Sequence, residues 1–148
     1  MHNQFQSERK ELKDVDAKGA VGYLTYLLRS RMTFYLLFFK NTVNENDRLE
    51  ALFWKDGRSR MDYATFDDVL VFDTTYWTNA YKKHFVILVG VSNHFTTTIF
   101  GCALLSKEME ETYNWVLATF EESMDGKRPI SVVIDEDLTM CNAIRKYF

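Results

Sequence analysis

Two carboxylates in this sequence stand where a catalytic or metal-binding pair could form. Asp73 ends the apolar run "VLVF", and Asp135 ends the apolar run "SVVI". An acid in such a position either stabilises a turn through its own backbone or contributes to a polar site at the end of a sheet. Neighbouring strands lie ~4.8 Å apart, so two such acids on adjacent strands are close enough to share an ion.

The chemistry of such a pair is that of a divalent cation. Two bare carboxylates ~4 Å apart repel by about 4 kcal/mol at an effective dielectric of ~20, and a cation removes that cost. Hard oxygen ligands favour Mg²⁺ or Mn²⁺. In two-metal phosphoryl transfer a third acid completes the site. The structural alternative stays open, because Asp135 is followed by Glu136 and Asp137 and could cap the final helix.

The other polar and aromatic candidates are weaker. His84 opens a strand and His94 lies in a turn, and neither has a partner at metal-ligand spacing. Trp77, just past Asp73, is the one aromatic residue expected to contact a substrate. The residues expected to be structural or solvated are His2, Trp54, Lys82, Lys83 and Trp115. Among the arginines, Arg58 and Arg60 are expected to pair with Asp56 or Asp62.

Composition limits the classes of function. The 148 residues are enough for one domain, and the net charge of −3 predicts weak DNA binding at most. Cys102 and Cys141 match no zinc or disulfide spacing and are expected to be free thiols. No signal peptide is visible, and no apolar stretch reaches the ~20 residues of a membrane helix. The expected location is therefore the nucleus or the cytosol.

The first part of the chain is expected to hold a lead-in and a small helix–hairpin unit. Residues 1–14 are polar and predicted to be disordered or helical, and residues 15–66 are predicted to form a helix, a β-hairpin and a short helix. The apolar face of the first helix consists of Val21, Leu24, Leu27 and Leu28.

Residues 67–148 are predicted to form three strands in a meander, then a helix, a strand and a helix. The first strand is apolar on both faces, which is typical of a central strand covered on two sides. Ser106 is expected to cap the long helix, whose first turn carries Glu108, Glu110 and Glu111, and Gly126 to end it. Residues expected to face the core are Met61, Tyr63 and Phe66 of the short helix and Met109, Tyr113, Val116, Leu117, Phe120 and Met124 of the long one.

The order of elements predicts where the two acids lie. The second and third strands are joined by a short connection and must be antiparallel. The helical crossover lets the fourth strand return parallel to the first. If those two strands are neighbours, Asp73 and Asp135 share one end of a mixed sheet. This is an α/β arrangement of the ribonuclease-H-like type.

Several motifs resemble a known family. They are "FW.D.RSR.DY..F.D", "FDTTY.TN.Y", "GCALL" and "D.D..M..AI", in this order, and together they span Arg48 to Ile144. This pattern is similar to that of the plant far-red-impaired-response family, transcription regulators descended from Mutator-like element transposases. The resemblance implies a ribonuclease-H-like transposase core in which Asp73 and Asp135 take the first and second catalytic-acid positions.

The resemblance also implies a nuclear role on light-responsive genes, including the phytochrome A pathway, and association of these proteins with one another. Similar full-length proteins carry an amino-terminal zinc-binding DNA-recognition domain and a carboxy-terminal zinc finger of the SWIM type. Neither family zinc site is present in this chain. The chain also departs from the family in the residues around Asp135 and at Phe95, where a glycine is usual.

These departures favour a non-catalytic, transposase-derived domain, either a shortened product or one domain of a longer ancestor. The third acid, usually a downstream Glu, is not supplied here, so efficient phosphodiester turnover is not expected. No cofactor is required, and Mg²⁺ or Mn²⁺ is expected only at the acid pair. Homo-association or association with related proteins is predicted, because a truncated sheet leaves apolar surface uncovered. The alternatives are a live transposase core whose third acid lies elsewhere and an inert fragment.

Overall fold

A computed structural model gives the arrangement of residues 38–75, 83–92 and 94–148, with Thr75 described by its backbone alone. Within these ranges the chain forms six strands and three helices. The strands are β1 (Phe38–Val43), β2 (Leu49–Lys55), β3 (Val69–Thr75), β4 (His84–Val91), β5 (Thr97–Leu105) and β6 (Ser131–Ile134). The helices are α1 (Gly57–Phe66), α2 (Glu110–Ser123) and α3 (Leu138–Tyr147).

The strands form one mixed sheet in the order β1-β2-β5-β4-β3-β6. Its described neighbours are antiparallel except β3 and β6, which run parallel. The predicted hairpin, meander and parallel return are therefore confirmed, and the class is α+β with a mixed sheet. The lead-in over residues 1–14 and the helix predicted to precede the hairpin lie outside the described residues.

All three described helices pack on one face of the sheet, which we call the covered face. Strand alternation sends Leu70 and Phe72 of β3 to this face, where they are 0% and 1% exposed. They join one buried cluster with side chains from each helix. Within it, the rings of Tyr63 in α1 and Phe120 in α2 meet edge to face with centroids 5.1 Å apart. Such aromatic pairs are worth about 0.5–1.5 kcal/mol beyond their buried area.

The other face of the sheet, along strands β3, β4, β5 and β6, carries no helix within the described ranges, and we call it the open face. Its aliphatic side chains include Val69, Val71, Ile87, Val89, Val91, Ile99 and Val133. Ile99 is 53% and Val133 50% exposed. The expectation that β3 is covered on both sides is confirmed for the covered face; on the open face Val69 and Val71 are partly buried, and that half of the expectation stays a prediction.

The short helix α1 is confirmed, with one inward residue wrongly predicted. Tyr63 is 1% exposed and Phe66 packs partly buried against the core, as expected. Met61 is instead 73% exposed. Two residues correspond to a turn of about 200° around a helix, so Met61 and Tyr63 cannot face the same side.

The long helix α2 begins later than its sequence suggests. Its N-cap residue is Met109, which forms no side-chain capping bond, so the predicted cap at Ser106 was wrong. Residues 106–109 are not helical, and Met109 is 49% exposed rather than buried. The remaining inward residues are confirmed: Tyr113, Val116, Leu117, Phe120 and Met124.

The end of α2 lies close to the predicted one. Gly126 has a φ of +79°, and its N–H donates to the Glu121 carbonyl over 2.8 Å. The helix itself ends at Ser123, and Asp125, with a φ of +58°, is the first left-handed residue after it. Gly126 follows in the same conformation, which glycine adopts without steric cost, and the chain turns toward β6. Among the helices that the structure describes, none has the length and apolar character needed to cross a membrane.

Candidate functional site

The parallel pairing of β3 with β6 brings the two acids to the same end of the sheet. The register aligns Phe72 with Ile134, so the next residues are Asp73 on one strand and Asp135 on the other. Because adjacent strands lie ~4.8 Å apart, the backbones of the two acids are neighbours. The predicted neighbourhood of the two strands is confirmed, whereas joint binding of an ion stays a prediction.

Both acids are solvent-exposed. Alternation along β3 places Asp73 on the open face, beside Val71 and opposite in direction to the buried Phe72. Its cross-strand partner on β4 is Ile87. In a solvent-exposed position, two unit charges ~4 Å apart repel by about 1 kcal/mol, which is well below the repulsion energy of a partly buried pair. The expectation that the chain requires no cation stays a prediction.

The turn after β6 separates the site residue from the helix cap. Asp137, and not Asp135, caps α3: its Oδ1 accepts from the N–H groups of Thr139 and Met140 over 2.8 and 3.3 Å. The Asp135 carbonyl accepts from the Asp137 N–H over 2.7 Å, and the Asp135 Oδ1 accepts from the Glu136 N–H over 2.8 Å. The capping role that the sequence left open for Asp135 thus belongs to Asp137.

The donor set fits a hard divalent cation. Asp73 and Asp135 offer carboxylate oxygens at one solvent-accessible edge, and Mg²⁺ commonly binds through one or two carboxylates while it keeps several waters. Among the described residues, no group of three or more His, Cys, Asp and Glu side chains is arranged to hold a metal. If an ion binds at this edge, Asp73 and Asp135 are the residues that would hold it, and it would supply Lewis-acid and charge-neutralising chemistry there.

Several other candidates take structural positions or fall outside the described residues. Trp77 and Lys82 lie outside them, and His94 is exposed in the turn between β4 and β5. Trp54 is partly buried, and its ring lies 6.0 Å from that of Phe85 on the open-face side of the sheet. His94 and Trp54 are therefore not part of the acid pair.

The expected pairing of the two arginines in α1 is confirmed for one of them. Arg58 Nε lies 3.8 Å from Asp62 Oδ2, one helical turn away. Arg60 pairs instead with Asp125, in the turn that follows α2. Asp56 is engaged elsewhere, because its Oδ1 accepts from the Ser59 N–H and caps α1. The correction follows from the packing of α1 beside the end of α2.

Sequence reasoning missed a polar network beneath the acid end of the sheet. His84 Nδ1 lies 3.1 Å from Glu108 Oε1. The Tyr113 hydroxyl donates to Asp137 Oδ2 over 3.2 Å, and Glu108 is its second carboxylate neighbour. Burial raises the pKa of Tyr113 above its ordinary range, and the charges of Glu108 and Asp137 add to the effect. Tyr113 therefore stays a protonated donor. No spacing in the sequence signals these contacts, since the partners belong to separate elements.

The comparison with known proteins now decides the family. The family described as "MULE transposase domain" matches residues 69–148, more than half of the chain. The chain belongs to the MULE transposase domain family. The matched region begins at β3 and contains both Asp73 and Asp135, so the acid pair lies within the shared domain.

Curated relatives from Arabidopsis thaliana refine this placement. Protein FAR-RED IMPAIRED RESPONSE 1 is 36% identical over 133 residues, which cover 90% of this chain and 16% of that protein. Protein FAR1-RELATED SEQUENCE 4 is 31% identical over 145 residues, 98% of this chain and 19% of that protein. For Protein FAR1-RELATED SEQUENCE 2 the identity is 32% over 111 residues, 75% of this chain and 14% of that protein. The MULE domain described here is thus a transposase-derived domain of the FAR1 type and spans under a fifth of these relatives.

No solved structure matches this chain.

Proposed function

We propose that this chain is a transposase-derived regulatory domain that acts in the nucleus in the control of transcription and does not cleave DNA. In this proposal its sheet is a ribonuclease-H-like core. Asp73 and Asp135 are the vestigial first and second acid positions of the ancestral transposase. They bind one Mg²⁺ or Mn²⁺ ion, which folding does not require.

The single observation that carries the proposal is the register of β3 and β6. A central strand with an antiparallel neighbour on one side and a parallel return on the other supports the ribonuclease-H-like assignment. The acids follow aligned residues, Phe72 and Ile134, at the carboxyl ends of both strands. Carboxylates brought together in this way are the ligands of metal-dependent phosphoryl transfer.

The names of the relatives support regulation rather than transposition. One name describes an impaired far-red response, the other two are named as sequences related to FAR1, and the matched segments cover most of this chain. From this similarity we infer a role of this protein in light-dependent transcription. The site chemistry agrees, because two carboxylates supply fewer ligands than a two-metal centre uses.

The surface charges support weak DNA binding at most. Cationic side chains of the described chain that pair with acids are Lys40, Arg58, Arg60, Lys127, Arg128 and Lys146. A cation that is already paired contributes less to phosphate binding, and the net charge is −3. Fluorescence anisotropy with duplex DNA should give weak affinity that falls steeply between 50 and 200 mM salt, about the range in which counterion release acts. Salt-independent, tight binding would contradict this part of the proposal.

Calorimetric titration with Mn²⁺ tests the acid pair directly. Wild type is expected to bind one ion, and Asp73→Asn and Asp135→Asn are each expected to weaken binding by at least about tenfold. The matched control is Asp68→Asn, which changes an exposed acid at the other end of β3. Absence of binding in wild type, or an equal loss in the control, would remove Asp73 and Asp135 from any metal role.

A live transposase core is the second candidate, with its third acid supplied from outside this chain. The observation that favours it is the solvent exposure of both acids at one edge, where a phosphodiester can approach. Incubation with terminal-repeat DNA and Mn²⁺ separates the two candidates. Nicking or strand transfer that Asp73→Asn abolishes would establish the catalytic candidate, and intact DNA favours the regulatory one.

Association with a second copy or with related family proteins completes the proposal. The open face supports it, because Val91 is 49%, Ile99 53% and Val133 50% exposed. Contiguous aliphatic surface of this kind commonly marks a protein interface. Size-exclusion chromatography with light scattering is expected to show a mass that rises with concentration, whereas a constant monomer mass would contradict self-association.

A further inference from the structure

We propose that Tyr113 is a positioning residue for the Asp135 carboxylate and acts on it through Asp137. The inference rests on the proposed metal site of Asp73 and Asp135. Tyr113 is not a ligand in this arrangement, because it lies in α2 on the covered face and is 0% exposed. Its contribution is to hold the turn that carries Asp135.

The first step is the contact between Tyr113 and Asp137. The hydroxyl donates to Oδ2 of Asp137 over 3.2 Å, while Oδ1 of the same carboxylate caps α3 through Thr139 and Met140. One carboxylate thus joins α2 to the first turn of α3. Both of its oxygens are used, so its side-chain orientation is defined from two sides.

The second step runs from Asp137 back to Asp135. The Asp137 N–H donates to the Asp135 carbonyl over 2.7 Å, which closes a three-residue turn around Glu136. The Glu136 N–H donates in turn to Oδ1 of Asp135 over 2.8 Å. Fixing Asp137 therefore fixes the backbone of the turn and the N–H group that orients the Asp135 carboxylate.

The hydroxyl has one proton, which it donates to Asp137, and it has another acidic neighbour that connects it to β4. Glu108 is its second carboxylate neighbour and lies 3.1 Å from Nδ1 of His84, at the start of β4. This network ties three elements to the end of the sheet where the acids lie. Loss of a residue that is hydrogen-bonded directly to a metal ligand commonly weakens metal binding 10- to 100-fold. Tyr113 is connected to Asp135 through two successive hydrogen bonds, so we expect its loss to weaken metal binding by about three- to tenfold.

Calorimetric titration of Mn²⁺ into the full chain tests the inference with Tyr113→Phe, which keeps the buried ring and removes only the hydroxyl. The matched control is Tyr63→Phe, since Tyr63 is 1% exposed and donates to the Lys127 carbonyl over the same 3.2 Å. Tyr113→Phe is expected to weaken Mn²⁺ binding by about three- to tenfold, and Tyr63→Phe to leave it unchanged.

A readout without metal accompanies the titration. Amide hydrogen exchange at Glu136 and Thr139 is expected to quicken in Tyr113→Phe and not in Tyr63→Phe, because only the first substitution loosens the turn. Equal Mn²⁺ affinity in wild type and Tyr113→Phe, or equal losses in both tyrosine variants, overturns the inference and leaves the acid site standing. Absence of Mn²⁺ binding in wild type overturns the proposed metal site, and the inference with it, whatever the exchange rates show.

Discussion

On the covered face, Leu70 and Phe72 of β3 are 0% and 1% exposed, whereas on the open face Ile99 and Val133 are 53% and 50% exposed. Both sets are aliphatic or aromatic and belong to the same sheet. The difference lies in the helices, since α1, α2 and α3 all contribute to the covered side. Among the described residues, the most completely buried side chains of the sheet therefore lie on the covered face.

The acid site combines contributions from both faces. Asp73 projects on the open face, where solvent and a ligand can reach it. Tyr113, which we infer to position Asp135, belongs to the buried cluster on the covered face. Packing on the covered face thus positions Asp135 in our proposal, and exposure on the open face lets solvent and a ligand reach Asp73.

The largest expected effect comes from comparing neighbouring residues of β3. Leu70→Ala removes a fully buried side chain and should lower the free energy of unfolding by about 2–5 kcal/mol. Val71→Ala, on the open face, should cost less than about 1.5 kcal/mol because its side chain is only partly buried. Urea unfolding followed by circular dichroism measures both, and equal losses would show that the open face is packed as tightly as the covered one.

Lys55 is the exception on the covered face and gives the second prediction. It is 5% exposed, and its Nζ has the Met124 sulfur 3.5 Å away as a weak acceptor. Burial lowers the pKa of Lys55 from 10.5 to about 8, with a further lowering by Arg60. Lys55→Met should therefore raise the free energy of unfolding by about 1–3 kcal/mol at pH 7, since the buried charge is replaced by an apolar chain.

The pH dependence of that gain has a defined sign. Between pH 8 and 10.5 the unfolded chain binds more protons at Lys55 than the folded chain, so wild-type stability rises with pH across this window. The advantage of Lys55→Met should be full below pH 8 and shrink toward pH 10.5. Lys40→Met, at a 47% exposed lysine paired with Glu122, is the control and should change stability by under about 0.5 kcal/mol. A gain of the same size at pH 7 and pH 10 would contradict the assigned cause.

Chain order predicted that β6 returns parallel to β3, whereas their being neighbours was a condition that the structure supplied. Three apolar runs with short connections, then a helical crossover, leave few topologies, and the right-handed return selects the parallel orientation. The core face of α2 followed from spacing alone, as Tyr113, Val116 and Phe120 show. The position of Met109 did not, because a helix boundary depends on capping and packing rather than on periodicity.

The supporting contacts of the site were beyond the reach of sequence patterns. His84 and Glu108, or Tyr113 and Asp137, meet only because the sheet and two helices converge at one end. Their separations along the chain match no motif, and the burial predicted for Tyr113 does not tell which groups its hydroxyl meets. The acids Asp73 and Asp135 were visible because each follows an apolar run, which is a local signal.

The smallest expected effect belongs to a residue that lies on neither face. Phe95, in the turn between β4 and β5, is 92% exposed and has a φ of +57°. A left-handed conformation costs a residue with a side chain about 1–2 kcal/mol, while glycine loses about 0.5–1 kcal/mol in chain entropy. Phe95→Gly should therefore raise the free energy of unfolding by about 0.5–1 kcal/mol, in agreement with the glycine usual here in the family that the motifs resemble. The control is Thr96→Gly, in the same turn and at a residue without a positive φ, which should be neutral or destabilising in the same urea titration. If both substitutions raise the free energy of unfolding equally, the gain does not come from the backbone conformation of Phe95.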